Sequence, residues 1–197
     1  AWLDGLEEDR QACKQKIYDF NQLPPSRQSK EAPQMIKNIF GKTGENVWVE
    51  APFHCDYGWN IEVGENFYSN YNLTILDVGK VTCGKNVQVA PNVSIYTAGH
   101  PVHPDSRNSG YEYGIPVTVG DNVWIGGNTV ILPGVTVGSN VVIGAGSVVS
   151  KDIPDNTIAA GNPCKVIREI TDEDRIYYFK KQKFDDEAWE EVKNKNK

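Results

Sequence analysis

The chain has 197 residues, a formal net charge of −6, 23% charged and 39% hydrophobic residues, enough for one domain with a sizeable core and appendages. The acidic balance argues against general affinity for nucleic acid or anionic membrane, and leaves room for an anionic ligand in a local basic pocket. No apolar run approaches the roughly 18 residues that span a bilayer, no signal peptide is visible, and the four cysteines are scattered without a C-x-x-C pair. Reduced thiols in a cytoplasmic protein are therefore expected, and a zinc site is not. The chain opens on Ala1 rather than Met, so a few residues are expected to precede it.

Residues 3–21 predict a helix, with Leu6, Cys13, Ile17 and Phe20 on one stripe and charges opposite. Pro24 and Pro25 break it. A second helix is expected over 29–40, with Pro33 in its first turn and Met35, Ile36, Ile39 and Phe40 apolar. Gly41 and Gly44 end it. The pair would form an N-terminal helical cap, residues 1–45.

From Val47 the pattern turns to short strands. Val63, Ser69 and Ile75 are spaced by six, the phase slips by two around Gly79 and Lys80, and the rhythm resumes at Cys83, Val89 and Ile95. Residues 97–116 then lose it and carry Gly, Pro, His and Ser. After this excursion the repeat is at its cleanest: Val119, Ile125, Ile131, Val137, Ile143 and Val149. Four places after each comes Val123, Thr129, Val135, Val141 or Ser147. A period of six fits neither a helix (about 3.6) nor a plain strand (about 2). It is the signature of a parallel β-helix, in which three short strands and three tight turns make one triangular coil. Aliphatic side chains stack inward, and Gly and Asn take the corners because they tolerate positive φ. The fold is thus read as mainly β: a β-helix over 46–153, a protruding loop at 97–116, and an extension over 154–197. In that extension 158–160 and 166–170 read as strands, and 171–183 as a short helix with Thr171 as N-cap. The charged tail, 185–197, reads as a helix packed on a neighbour or a frayed end.

The histidines are His54, His100 and His103. The tightest cluster, G-H-P-V-H-P at 99–104, opens the long loop, and long loops on rigid solenoids are usually functional. Three readings stand: a three-histidine zinc site, as in the hexapeptide-repeat carbonic anhydrases; a single general base near neutral pH; or local hydrogen bonding within the loop.

The segment 55–170 resembles the maltose and galactoside acetyltransferase family. The matching runs are C-D-Y-G-W-N (55–60), N-F-Y-S-N-Y-N (66–72), L-D-V (76–78), A-P-N-V-S-I-Y-T-A-G-H-P (90–101), R-N-S-G-Y-E-Y-G-I-P (107–116), N-V-W-I-G-G (122–127), G-A-G-S-V-V-S-K-D-I-P (144–154) and A-A-G-N-P-C-K-V-I-R (159–168). The D-R-Q-A-C run (9–13) is similar to the family's cap, and the wording around residue 100 and after 107 leans to the maltose-type branch. The resemblance implies a left-handed parallel β-helix, a homotrimer with active sites between subunits, acetyl-CoA as donor, a sugar as acceptor, and no required metal. It implies His100 as the base and Asn70 as the oxyanion partner. Asp56 and Asn70, with Asp77 near them, match positions lining the acceptor, and Glu112 is assigned to orient His100. Gly127, Ala145, Ser150, Lys151, Lys165 and Arg168 fall on donor positions, with Trp124 flanking the CoA channel or facing a subunit contact. Lys165 stands where the galactoside branch commonly has arginine. Val78 stands where that branch has an acceptor aspartate, and another such aspartate, expected near the start, meets Ala1 or is missing. The runner-up function is O-acetylation of a xenobiotic, whose enzymes usually lack the helical cap. A non-enzymatic structural β-helix is disfavoured because no Thr-x-Thr ladder is present.

Overall fold

A computed structural model describes residues 5–195. From Val47 the chain winds into a parallel β-helix with three faces. The first carries Val47–Val49, Phe67–Ser69, Gln88–Val89, Trp124–Ile125, Val142–Ile143 and Thr157–Ala160, and ends on the antiparallel strand Lys165–Glu169. The second carries Phe53–Cys55, Leu73–Leu76, Ser94–Tyr96, Val130–Ile131 and Val148–Val149. The third carries Ile61–Val63, Val81–Cys83, Val117–Val119 and Thr136–Val137.

The six-residue period becomes inward files of side chains. Val49, Ser69, Val89, Ile125, Ile143 and Ala159 form one, and Val63, Cys83, Val119, Val137 and Ile153 another, every member at most 4% exposed. Burying each large aliphatic group contributes about 1.5–3 kcal/mol, so the stack itself holds the coils. The inward hydroxyls are satisfied locally: Ser69 Oγ donates to the Asn70 carbonyl at 3.0 Å and, in neighbouring files, Thr157 Oγ1 to that of Pro154 at 2.8 Å and Ser147 Oγ to that of Gly144 at 2.5 Å. The outward residues of the third face are Glu62, Thr82, Thr118 and Thr136 in register, a single file without a Thr-x-Thr ladder.

The corners differ. Where the third face turns into the first, Asn66, Asn86, Asn122, Asn140 and Asn156 all have φ between 55° and 58°. Each side-chain amide donates to the next, at 2.8–3.0 Å. Where the first face turns into the second, Asn72, Asn92, Asn128 and Gly146 hold the positive φ. Here Gly126 is required by space rather than φ, since a Cβ would come within 2.5 Å of the Ala145 nitrogen one coil away. The corner between the second and third faces is the one whose length changes. Phe53 to Ile61 and Leu73 to Val81 are strides of eight residues, whereas Thr129 to Val135 is six. The phase slip near Gly79 is one of these enlarged corners. The long loop leaves and returns at the same corner in the third coil. Its neck is an antiparallel pair, Ala98–Gly99 against Tyr113–Gly114, and its tip carries the short helix Pro104–Asn108.

Helix α1, Leu6–Asn21, buries Cys13, Ile17 and Phe20; helix α2, Pro25–Ile39, buries Ala32, Ile36 and Ile39. The expected start of α1 at Leu3 lies outside the described residues. α2 begins earlier than the pattern predicts, because Pro25 serves as its first residue and places Pro33 inside. Phe40 packs edge-on to Phe53 at 5.5 Å and 71°, closing the top of the β-helix. Beyond the coils, the helix expected over 171–183 is a short 3-10 turn, Asp172–Ile176, followed by a hairpin of Tyr177–Phe179 and Gln182–Lys183. The aromatic run Tyr177-Tyr178-Phe179 favours strand, and Lys180 supplies the positive φ of the turn. A final helix spans Asp186–Lys195.

Candidate active site

The enlarged corner of the first three coils gathers most of the chemistry. Asp77, expected to line the acceptor site, is wholly buried (0% exposed). Alternation along Leu73–Leu76 turns its side chain inward, where Oδ1 accepts the N–H groups of Asp56 (2.8 Å) and Tyr57 (3.0 Å), and Oδ2 that of Gly58 (2.7 Å). Burial pushes its carboxyl above the usual range, and these bonds pull against that shift. Asp77 therefore shapes the turn that presents Asp56.

Asp56 is 9% exposed and is held by Arg10 of α1, whose Nη2 and Nε reach Oδ1 at 2.5 and 3.0 Å. The bond to Asp56 raises the Arg10 guanidinium further above its ordinary value. Arg10 also lies 5.8 Å from the Tyr57 ring centre, and Tyr57 packs on Trp59 at 5.6 Å. Arg10 was not singled out from the sequence. Its signal was a lone arginine one helical turn before a buried cysteine.

His100 is exposed just beyond the neck of the loop. Its Nδ1 lies 3.1 Å from the Tyr111 carbonyl oxygen. A carbonyl only accepts, so Nδ1 carries the proton of the neutral ring and Nε2 presents its lone pair outward. The group that holds the ring at Nδ1 is thus a backbone carbonyl, and no hydrogen bond joins Glu112 to His100. Glu112 is the next residue along, and its charge acts on Arg10 and Tyr57. His103 serves locally, accepting the Asp105 N–H at 3.2 Å. Among the described residues no three His, Cys, Asp or Glu side chains converge as a metal site.

Asn70 follows the first-face strand Phe67–Ser69, at the opposite edge of the second face. Its Oδ1 accepts the Tyr71 N–H at 2.8 Å, which fixes the amide and leaves Nδ2 as an outward donor. Gly127 and Ala145 sit on this same edge two and three coils further on. The Gly127 carbonyl accepts the Gly146 N–H at 2.8 Å. Ser150 and Lys151 are exposed on the His100 edge, and Trp124 is 55% exposed on the first face. The two edges are separated by the second face, about 10 Å for a three-residue strand. Lys165 is exposed on the closing strand. Arg168 Nη1 and Nη2 grip Asp174 at 2.7 and 2.6 Å, tying the strand to the 3-10 turn, and Nη1 also donates to the Glu169 carbonyl at 2.8 Å.

Residues 116–151 match the model described as "Bacterial transferase hexapeptide (six repeats)", and residues 1–44 the "Maltose acetyltransferase hexapeptide capping motif". The galactoside O-acetyltransferase of Escherichia coli (strain K12) is 53% identical over 91% of this chain and 88% of its own. A solved galactoside acetyltransferase in complex with coenzyme A matches with a TM-score of 0.90 at 52% identity, covering 93% of this chain and 91% of that one. A maltose O-acetyltransferase from Clostridium difficile 630 matches with a TM-score of 0.84, also at 52% identity, over 86% and 90%. The equal identities favour neither branch. On the coil, the cap and these likenesses together, the chain belongs to the hexapeptide-repeat family of galactoside and maltose acetyltransferases.

Proposed function

We infer that this protein is an acetyl-CoA-dependent O-acetyltransferase acting on a sugar hydroxyl. The observation that carries the reading is the Nδ1–Tyr111 carbonyl bond, which leaves Nε2 of His100 free as a base on the coil. The acceptor hydroxyl gives its proton to Nε2 as its oxygen attacks the thioester carbonyl, and the Asn70 amide donates to the negative charge that develops there. The leaving thiolate takes up the proton. Asp56 and Arg10 bind acceptor hydroxyls, with Glu112 on the same side. Gly127 and Ala145 offer backbone groups to the donor's pantetheine arm, and Trp124 flanks it. Ser150, Lys151, Lys165 and Arg168 take its phosphates, which an acidic protein must hold with local cations.

His100 and Asn70 occupy different edges of one chain, which is the support for an assembly in which the edge bearing one meets the neighbouring subunit's edge bearing the other. A homotrimer closes such an arrangement with three equivalent sites. Four free cysteines fit a reducing compartment, and we place the enzyme in the cytoplasm. The test is thiol release from acetyl-CoA over a panel of glucose, maltose, galactosides and a hydroxylated xenobiotic. Release accelerated by sugars and abolished in His100→Ala is expected; full activity in that variant, or acceleration by the xenobiotic alone, overturns the reading.

A further inference from the structure

Helix α1 meets the first coil at three points in line. Asn21 exchanges both amide bonds with the Phe53 backbone at 2.9 Å, Cys13 Sγ lies 3.7 Å from Cys55 Sγ, and Arg10 closes on Asp56 at 2.5 Å. The helix and the strand run in opposite directions, so the thiol pair sits between a fixed anchor and the acceptor-side ion pair. Cys55 is the covalent neighbour of Asp56, and Cys13 is one helical turn from Arg10.

This pair differs from the other two cysteines. Cys13 (3% exposed), Cys83 (4%) and Cys164 (8%) are all buried, and burial alone pushes the Cys83 thiol up to about 12; what sets Cys13 apart is the second sulfur in contact with it. Cys13 is instead held below the ordinary thiol range by its hydrogen bond with Cys55, which is pushed up in turn. That bond favours the Cys13 thiolate, and a thiolate is the form that attacks a peroxide. Cys13 is buried and Cys55 half-buried.

We propose that Cys13 and Cys55 are an oxidation site that closes to an intrachain disulfide under hydrogen peroxide, fastening the helical cap to the first coil and displacing the Arg10–Asp56 pair. The Cys13 thiolate attacks one peroxide oxygen and the O–O bond breaks, giving a sulfenic acid and hydroxide, which a proton converts to water. The Cys55 thiol then loses its proton and attacks the Cys13 sulfur, expelling the second water. Two thiols are oxidised by two electrons and one peroxide is reduced to two waters. Bonding brings the sulfurs closer by about 1.7 Å. Asp77 clamps the turn at Asp56, so the movement falls on α1 and carries Arg10 with it. The functional half of this proposal rests on the acceptor role inferred above for Asp56; the bond does not.

The full chain is treated with graded hydrogen peroxide, alkylated, digested and mapped by mass. The expected product is a Cys13–Cys55 crosslinked peptide lighter by two hydrogens than its parts and reversed by dithiothreitol, with Cys83 and Cys164 unpaired. No such peptide, or crosslinks distributed among all four cysteines, overturns the proposal. In the second arm the acceptor KM of the oxidised chain rises about fivefold, a typical coupling between linked sites, and returns on reduction. Cys13→Ala treated alike shows no rise. A KM unmoved in the crosslinked wild type overturns the link to the site. A reduced chain that acetylates no sugar sinks the sugar reading alone, and the mapping still decides the bond.

Discussion

The late coils and the early coils share one repeat and differ at one corner. In the fourth coil the turn from second to third face keeps the six-residue stride, from Thr129 to Val135, and in the fifth it shortens to four, from Val149 to Ile153. In the first two coils it takes eight, and in the third, with the long loop, Val93 to Val117 spans twenty-four. Asp56, Asp77 and His100 all stand on these enlarged corners. Gly127 and Ala145 stand on the regular coils, where backbone rather than side chains faces the edge. A solenoid held at six on two corners admits chemistry through the third.

The sharpest break between the regions is expected at His100. His100→Ala lowers kcat about 10³-fold with CoA affinity by calorimetry unchanged; a smaller loss than tenfold would move the base elsewhere. The regular coils answer differently. Ile131→Ala, at a wholly buried position, costs about 3 kcal/mol in denaturant melts, while kcat of the folded enzyme holds; a collapse of kcat would show that the rail itself is part of the chemistry. Asn70→Ala tests the far edge and lowers kcat about 10²-fold, with little change in melting. Asp77→Ala leaves three N–H groups without their acceptor and costs about 2 kcal/mol. It also raises the acceptor KM, whereas an unchanged KM would detach the Asp56 turn from the acceptor. The smallest effect is at Asp174. The Arg168 guanidinium, then the Thr171 N–H, hold its carboxyl well below the usual range. A depressed carboxylate stabilises above its unfolded value and loses that contribution only as pH falls through the folded one. Hydrogen exchange at the Thr171 amide should therefore quicken, relative to intrinsic rates, only under strong acid. Quickening at mildly acidic pH would mean that Asp174 is not gripped.

The coil was legible because stacking demands an inward aliphatic group at a fixed stride, and nothing else in the chain has that stride. His100 was legible because it begins the one long departure from it. What escaped has a different character. The Tyr111 carbonyl holds the His100 ring, and a backbone acceptor leaves no trace in residue type. Asp77 reads as a ligand by its place in the motif; only counting inward positions from Ile75 shows that it points inside. Arg10 acts across 46 residues of chain, a distance over which spacing carries no information. The 171–183 segment was misjudged because its acidic first turn signals a helix start, which the following aromatic run then overrides.

Asn66, Asn86, Asn122, Asn140 and Asn156 donate in one unbroken direction, although the chain between successive members is 20, 36, 18 and 16 residues long. That corner works as a ruler. Whatever is spliced in or trimmed elsewhere on a turn, the chain re-enters the first face at the same mark, and no error passes to the next coil. Copying and editing are thereby assigned to different corners. A descendant of this chain could exchange its long loop for another without renegotiating a single inward file.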